Sequence, residues 1–254
     1  EQSTGFVYNA RPSYNDRQDV PRYTQRFAMS YVTGSHAIKA GFQNEKGRSS
    51  TTTRANRDVN YAFNNGEPVL ITQYATPYAQ EVRTKADLGI FVQDQWRIQR
   101  LTLNYGVRFD YFNGYVPAQH VPAPPSGWVP ARDFDSVSHV PQWSDLSPRL
   151  GAAYDLRGDG KTALKVSLGK YVAKTGTAIA SANNPIQTSV NTVTRGWTDS
   201  NRNFVPDCDL SNRALNLECG PMSTQSFGGL RVTTRYAGDV LHGFKVRDHN
   251  WDLS

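Results

Sequence analysis

The sequence predicts an all-β chain: an antiparallel, up-and-down segment of a transmembrane β-barrel (a partial barrel) with long extracellular loops. Three observations carry that expectation. Two long alternating runs meet at a minimal connection, the runs are long enough to cross a bilayer, and short and long connections alternate along the chain. The two runs lie within Ala86 to Phe112. In the second, Leu101, Leu103, Tyr105, Val107, Phe109 and Tyr111 share one face while Thr102, Asn104, Gly106, Arg108 and Asp110 share the other, the period of two of a strand with one apolar and one polar side. In the first, Leu88, Ile90, Val92 and Trp96 oppose Gly89, Gln93, Gln95 and Arg97, with Asp94 on the apolar side and Phe91 on the polar side as exceptions. Globular strands have a mode of about five or six residues, whereas these runs reach the roughly nine to eleven that a tilted membrane strand needs.

From the start of the chain, Glu1 to Arg22 is polar, interrupted by Pro12 and Pro21, and reads as loop. Thr24 to Thr33 alternates Phe27, Met29 and Tyr31 against Arg26, Ala28 and Ser30, and Gly34-Ser35 turns it tightly into His36 to Glu45. Lys46 to Arg57 is too polar to bury. Asp58 to Phe63 and Val69 to Tyr74 then flank a turn at Asn64 to Pro68, a hairpin that is either two short membrane strands or, as the better reading, the extracellular tip of one long hairpin. After the central pair, Asn113 to Ser147 is proline-rich and reads as irregular loop. Pro148 to Leu156 and Lys161 to Ala173 form another pair about Arg157 to Gly160, with Leu164, Val166 and Leu168 apolar and Lys165, Ser167 and Gly169 opposite. Lys174 to Leu241 reads as one long polar loop, and Phe244 to Ser254 as a further strand. Connections at Gly34, Ile98 to Arg100 and Arg157 to Gly160 are short and those between them long, as periplasmic turns and extracellular loops are.

Composition agrees. A mean hydropathy of -0.59 with 38% hydrophobic residues would suit a soluble protein, but barrel strands hide apolar residues at every second position. No run approaches the roughly 18 apolar residues of a membrane helix. Thirteen Tyr, eleven Phe and five Trp suit interfacial girdles. The net charge of +6 is spread over loops and polar faces rather than gathered in a stripe, which argues against a nucleic-acid partner. The chain reads as a piece of a longer protein, in contact with outer-membrane lipid and with further strands.

The segments VQDQWRIQRLTLNYGVRFDYF, DLSPRLGAAYDLRGDGKTALKVSLGKY and DSNRNFVPDCDL resemble the barrel portion of TonB-dependent outer-membrane receptors, especially the Oar-like members with large extracellular loops. The resemblance spans most of Thr24 to Ser254 and implies that residues 1–254 are part of one receptor barrel of about twenty-two strands, closed around an N-terminal plug. It further implies uptake of an extracellular ligand with energy delivered by the TonB complex through an N-terminal region. Neither plug nor TonB box is found in this stretch. Asn104, Arg108, Asp110 and Lys165, on the polar face, are then expected to face the lumen, with Arg108 and Asp110 in a charge network against the plug.

No catalytic constellation emerges, so no enzyme is expected. Asp155 to Thr162 ends like a phosphate-binding loop but has Asp155 where that motif needs Gly. The histidines His36, His120, His139, His242 and His249 fall at no ligand spacing. Asp94 reads as a girdle position or a local bulge rather than a buried catalytic acid. One constellation is stronger: Asp199, Asn201, Asn203, Asp207 and Asp209 offer short oxygen-bearing side chains at mostly alternate positions, suited to calcium. The loop begins like an EF-hand and then fails, with Phe204 in place of Gly and Leu210 in place of the closing Glu. It is similar to the repeats of extracellular calcium modules, and a solvated Asx-rich turn is the alternative. Cys208 and Cys219, close together, would pair as a staple in an oxidising compartment. A second class of function stays open: a secreted β-sandwich adhesin or lectin-like module that binds its target through calcium.

Overall fold

The computed structural model describes residues 1–254. It holds fourteen strands: β1 (Tyr14–Asp19), β2 (Arg22–Thr33), β3 (His36–Arg54), β4 (Val59–Asn64), β5 (Glu67–Tyr74), β6 (Tyr78–Ile98), β7 (Leu101–Tyr115), β8 (Gln119–Val121), β9 (Arg132–Phe134), β10 (Gln142–Asp155), β11 (Ala163–Val172), β12 (Thr192–Gly196), β13 (His242–Phe244) and β14 (His249–Leu253). Two short helices, α1 (Ala178–Ala182) and α2 (Gly238–Leu241), lie in the last long connection.

One large, open sheet runs in the order β1-β3-β6-β7-β10-β11-β14. β2 continues the position of β1, since both pair with β3, Arg22 to Thr33 beside His36 to Gly47 and Tyr14 to Asp19 beside Ser50 to Arg54. The break between them falls at Pro21, which has no N–H to give a ladder. All the long neighbours are antiparallel, and the tight turns are those expected, with Gly34 in the left-handed region (φ 55). At the turn after β10 the Asp155 carboxylate accepts the amides of Gly158 (2.9 Å) and Gly160 (2.8 Å).

The expectation for Glu1 to Arg22 and for Lys46 to Arg57 is corrected. Instead of loop, Tyr14 to Asp19 is a strand, and β3 runs unbroken to Arg54. These residues show no apolar period because neither face of the upper sheet needs one to reach a greasy environment. They are held by backbone ladders and by ion pairs such as Arg54 with Asp16 (2.7 Å) and Arg48 with Asp19 (2.5 Å). The 58–74 hairpin does not join the large sheet: β4, β5 and β12 form a separate three-stranded sheet, the extracellular-tip reading.

Buried apolar residues concentrate at one end, in a cap built from the long connections. Ile71 packs with Trp197 and Cys219; Val82 and Val116 with Val140 and Ala180; Ala75 and Val193 with Val129, Met222 and Phe227. The stretches read as irregular loop, Asn113 to Ser147 and Lys174 to Leu241, supply much of this core. Their buried residues are scattered among polar ones without period, so the sequence pattern hides them.

Candidate functional site

The large sheet has two chemically distinct faces, and the strand register builds each from cross-strand rows. One row on the apolar face runs Phe27, Phe42, Ile90, Phe109, Leu146. The next runs Met29, Ala40, Val92, Val107, Pro148. Below it lie Tyr31, Ile38, Asp94, Tyr105, Leu150 and Leu168, and nearest the tight turns Leu101, Tyr154 and Leu164. These side chains are uncovered: Phe27 is 60% exposed, Val166 53% and Leu164 66%. A contiguous apolar surface of this extent marks contact with lipid or a partner, and a sandwich would instead bury it under a second sheet.

Asp94 sits in unbroken register between Ile38 and Tyr105, so the bulge reading is replaced by the girdle reading. Its carboxylate is paired with His36 Nδ1 (2.6 Å) and accepts the Tyr105 hydroxyl (2.7 Å), and Trp96 stacks on the His36 ring at 5.2 Å. One oxygen of the polar exception on the apolar face, Oδ2, is thereby held by both partners among the aromatic residues near the short turns, while Oδ1 is buried without a partner. Phe91, the apolar exception on the polar face, fills the space above Gly41, where a Cβ would come within 2.9 Å of its ring.

The polar face carries Asn104, Arg108 and Asp110 on β7 and Lys165 on β11. Arg108 Nε donates to Asp110 (2.8 Å), and its guanidinium lies over Gly89, where any Cβ would collide with it. Asn104 is cross-strand from Gln95 and Gly151, and Lys165 from Ala153. Lys165 stands apart from the Arg108–Asp110 pair. Sequence reading missed two members of this face. Asp145 is the cross-strand neighbour of Asp110 and receives the Arg247 guanidinium at 2.7 Å, with both side chains buried. Asp145 follows the same alternation as Arg149 and could have been assigned to the face, whereas Arg247 comes from a loop with no pattern to place it.

In the cap, Cys208 and Cys219 form a disulfide with Cα atoms 5.9 Å apart. The loop beside it is organised by Asp199 and Asp207. Asp199 accepts the amides of Asn203 (3.2 Å) and Phe204 (2.9 Å), and Asp207 accepts the side-chain amides of Asn201 (2.6 Å) and Asn203 (3.0 Å). Asp209 turns away to Ser211 (2.6 Å), whose hydroxyl, with backbone amides, lowers its pKa below the usual carboxylate range. Four of the five candidate calcium donors are therefore in one turn, with protein donors on their oxygens, and the fifth is apart. The stretch that follows, Asn212 to Gly220, is held by Arg195. Fully buried, it donates to the carbonyls of Gly220, Asn212 and Ala214, each at 2.9 Å.

A family model described as an outer membrane beta barrel domain matches residues 2–229. No match was found among the curated proteins or among the solved structures.

Proposed function

The chain belongs to the outer membrane beta barrel domain family and is located in the outer membrane, and on that premise we propose that residues 1–254 are a wall segment of a TonB-dependent receptor that takes up an extracellular ligand. One observation carries the reading: the sheet is open, with β1–β2 along one side and β14 along the other lacking an outer neighbour, while its apolar face is bare. Unpaired edges are not tolerated in hydrocarbon, so further strands of the same barrel would complete the ladder on both sides. The apolar rows then meet lipid, and the face bearing Asn104, Arg108, Asp110 and Lys165 becomes the lumen wall, against which a plug domain would rest. The cap stands where a ligand arrives. The TonB complex would act through an N-terminal region. The test is calorimetry between the full-length protein and the periplasmic domain of TonB; no binding, with or without an N-terminal TonB box intact, removes the energy-coupled reading.

The clustering of Asp199, Asn201, Asn203 and Asp207 supports a second proposal, that this loop takes calcium. Two carboxylates and two amide oxygens are the hard donors calcium prefers. The ion would exchange for the amide donors that now satisfy Asp207, and would order the rim of the cap.

A further inference from the structure

β10 changes neighbours part-way along its length. From Asp155 up to Arg149 it pairs with β11, antiparallel. Beyond that point β11 leaves, and Gln142 to Ser144 pair instead with His242 to Phe244 of β13, in parallel. The segment that supplies β13 is drawn onto the polar face. Trp143 Nε1 donates to the Val240 carbonyl (2.8 Å), the Lys245 amide donates to the Ser144 carbonyl (2.9 Å), and Leu241 packs against the Val82, Val116, Val140 and Ala180 cluster.

Among the side chains of this segment that make these contacts, one is buried. α2 is a single turn with no buried residue, and β13 is exposed along its length. From Leu230 to the end of the described chain, Arg247 is the one buried residue. Its partners are carboxylates. Asp145 is bonded directly, and Asp110 lies beside Asp145 in register. The fit is incomplete: Asp145 Oδ1, Ser147 Oγ and Arg247 Nη2 are buried without a partner. A buried ion pair with orphaned polar atoms is strongly destabilised by losing one partner, and contributes little when traded for another pair of the same kind.

We propose that Gly238 to Asp248 is a gate at the mouth of the barrel, latched by Arg247 on Asp145 and released when a guanidinium or ammonium group of an incoming solute competes for the same carboxylates. The proposal rests on the assignment of the polar face to the lumen and is independent of TonB coupling. The solute's cation replaces Arg247 charge for charge, so release leaves no carboxylate uncompensated, and the liberated segment is then held by the three-residue parallel ladder, the Trp143–Val240 and Lys245–Ser144 hydrogen bonds and the Leu241 contacts, none of them involving a buried charge.

The test uses full-length protein in intact outer membranes, with Ser147→Cys as the reporter and a membrane-impermeant maleimide as the probe. Ser147 is 2% exposed, so labelling is expected to be slow with the gate latched, about tenfold faster or more with Arg247→Gln added, and faster on addition of millimolar arginine amide but not of an uncharged sugar. A disulfide between Ser144→Cys and Phe244→Cys should hold β13 down and abolish the response to arginine amide. Unchanged labelling in Arg247→Gln overturns the latch, and indifference to arginine amide overturns release by a cation. Should Arg247→Gln fail to assemble, the locked pair decides: a response to arginine amide that persists with β13 fixed overturns the gate. Asn104→Cys and Val166→Cys separate a failure of the lumen assignment, since equal labelling of both by the hydrophilic probe would remove that assignment itself.

Discussion

Asp110 and Asp145 are direct cross-strand neighbours on the polar face, and each is neutralised by its own arginine, Arg108 at 2.8 Å and Arg247 at 2.7 Å. Like charges set opposite each other in a sheet are destabilising, so the pair exists only because cations reach it from two directions, one along β7 and one from the far end of the chain.

Gly89 is what lets Arg108 reach. Its missing Cβ leaves the space that the guanidinium occupies. Gly89→Ala is expected to displace Arg108 and cost roughly 1–2 kcal/mol after discounting for the partial exposure of the pair. Asp110→Asn in the same background should restore part of the loss. Urea unfolding of full-length protein in lipid vesicles measures both, and a neutral Gly89→Ala would show that the arginine is not held there.

Charge should be tolerated asymmetrically by the two faces. Val107→Arg or Val166→Arg, on the bare apolar rows, is expected to cost about 2–4 kcal/mol near the bilayer midplane, and Asn104→Arg or Ser167→Arg markedly less. Equal costs on both faces in reversible unfolding from vesicles would contradict the membrane orientation.

Arg195 is expected to be the least replaceable residue of the cap. Arg195→Met takes the guanidinium donor from three carbonyls, Ala214 keeping the Asn216 side-chain amide, and should remove roughly 1–3 kcal/mol of local stability, read as lost hydrogen-exchange protection around Asn212 to Gly220. Arg195→Lys should rescue little, because an ammonium cannot present the planar fork. Wild-type protection in Arg195→Met would sink this assignment.

Asp209 makes the same loop sensitive to acid. Its pKa is lowered in the folded chain by the Ser211 hydroxyl and by backbone amides. The stabilisation is thus fully present above the unfolded value of about 4 and is lost as pH falls through the lower folded value. Exchange of the Ser211 amide, corrected for its intrinsic pH dependence, should lose protection only in that acid window, and Asp209→Asn should flatten the profile.

Calcium binding predicts heat at millimolar calcium in calorimetric titration of full-length protein, abolished in an Asp199→Ala/Asp207→Ala double variant. Breaking the neighbouring staple with Cys208→Ser/Cys219→Ser should loosen the loop by about 2–3 kcal/mol in the chain-entropy view and weaken any calcium affinity with it. No heat, or heat unchanged in the double variant, leaves a solvated Asx-rich turn.

What the sequence shows of this fold follows solvent geometry. Where the large sheet presents a bare apolar face, alternation is sustained, and Val107, Val166 and Leu168 are legible at once. Where β3 and β6 rise above the apolar rows, Ser50 to Arg54 pair with Tyr14 to Asp19 under no such constraint, so a ladder of purely polar residues looks like loop. The cap core is hidden for another reason. Ile71, Trp197 and Phe227 are far apart in sequence, and each is set among polar residues whose backbone it buries, so no local window reveals it. Of the polar face, Asn104, Arg108, Asp110 and Lys165 could be placed by parity alone, but the Arg247 contact with Asp145 spans 102 residues and only the folded chain discloses it.

The lengths of the central strands set where this protein meets the outside world. β6 has 21 residues, and at about 3.3 Å per residue with a tilt of roughly 40° it climbs about 50 Å, twice the roughly 25 Å apolar band of an outer-membrane barrel. The turns at the lower end are tight, so the surplus lies at the end that carries the cap. The wall works as a pier: it stands the cap roughly 25 Å beyond the edge of the apolar band.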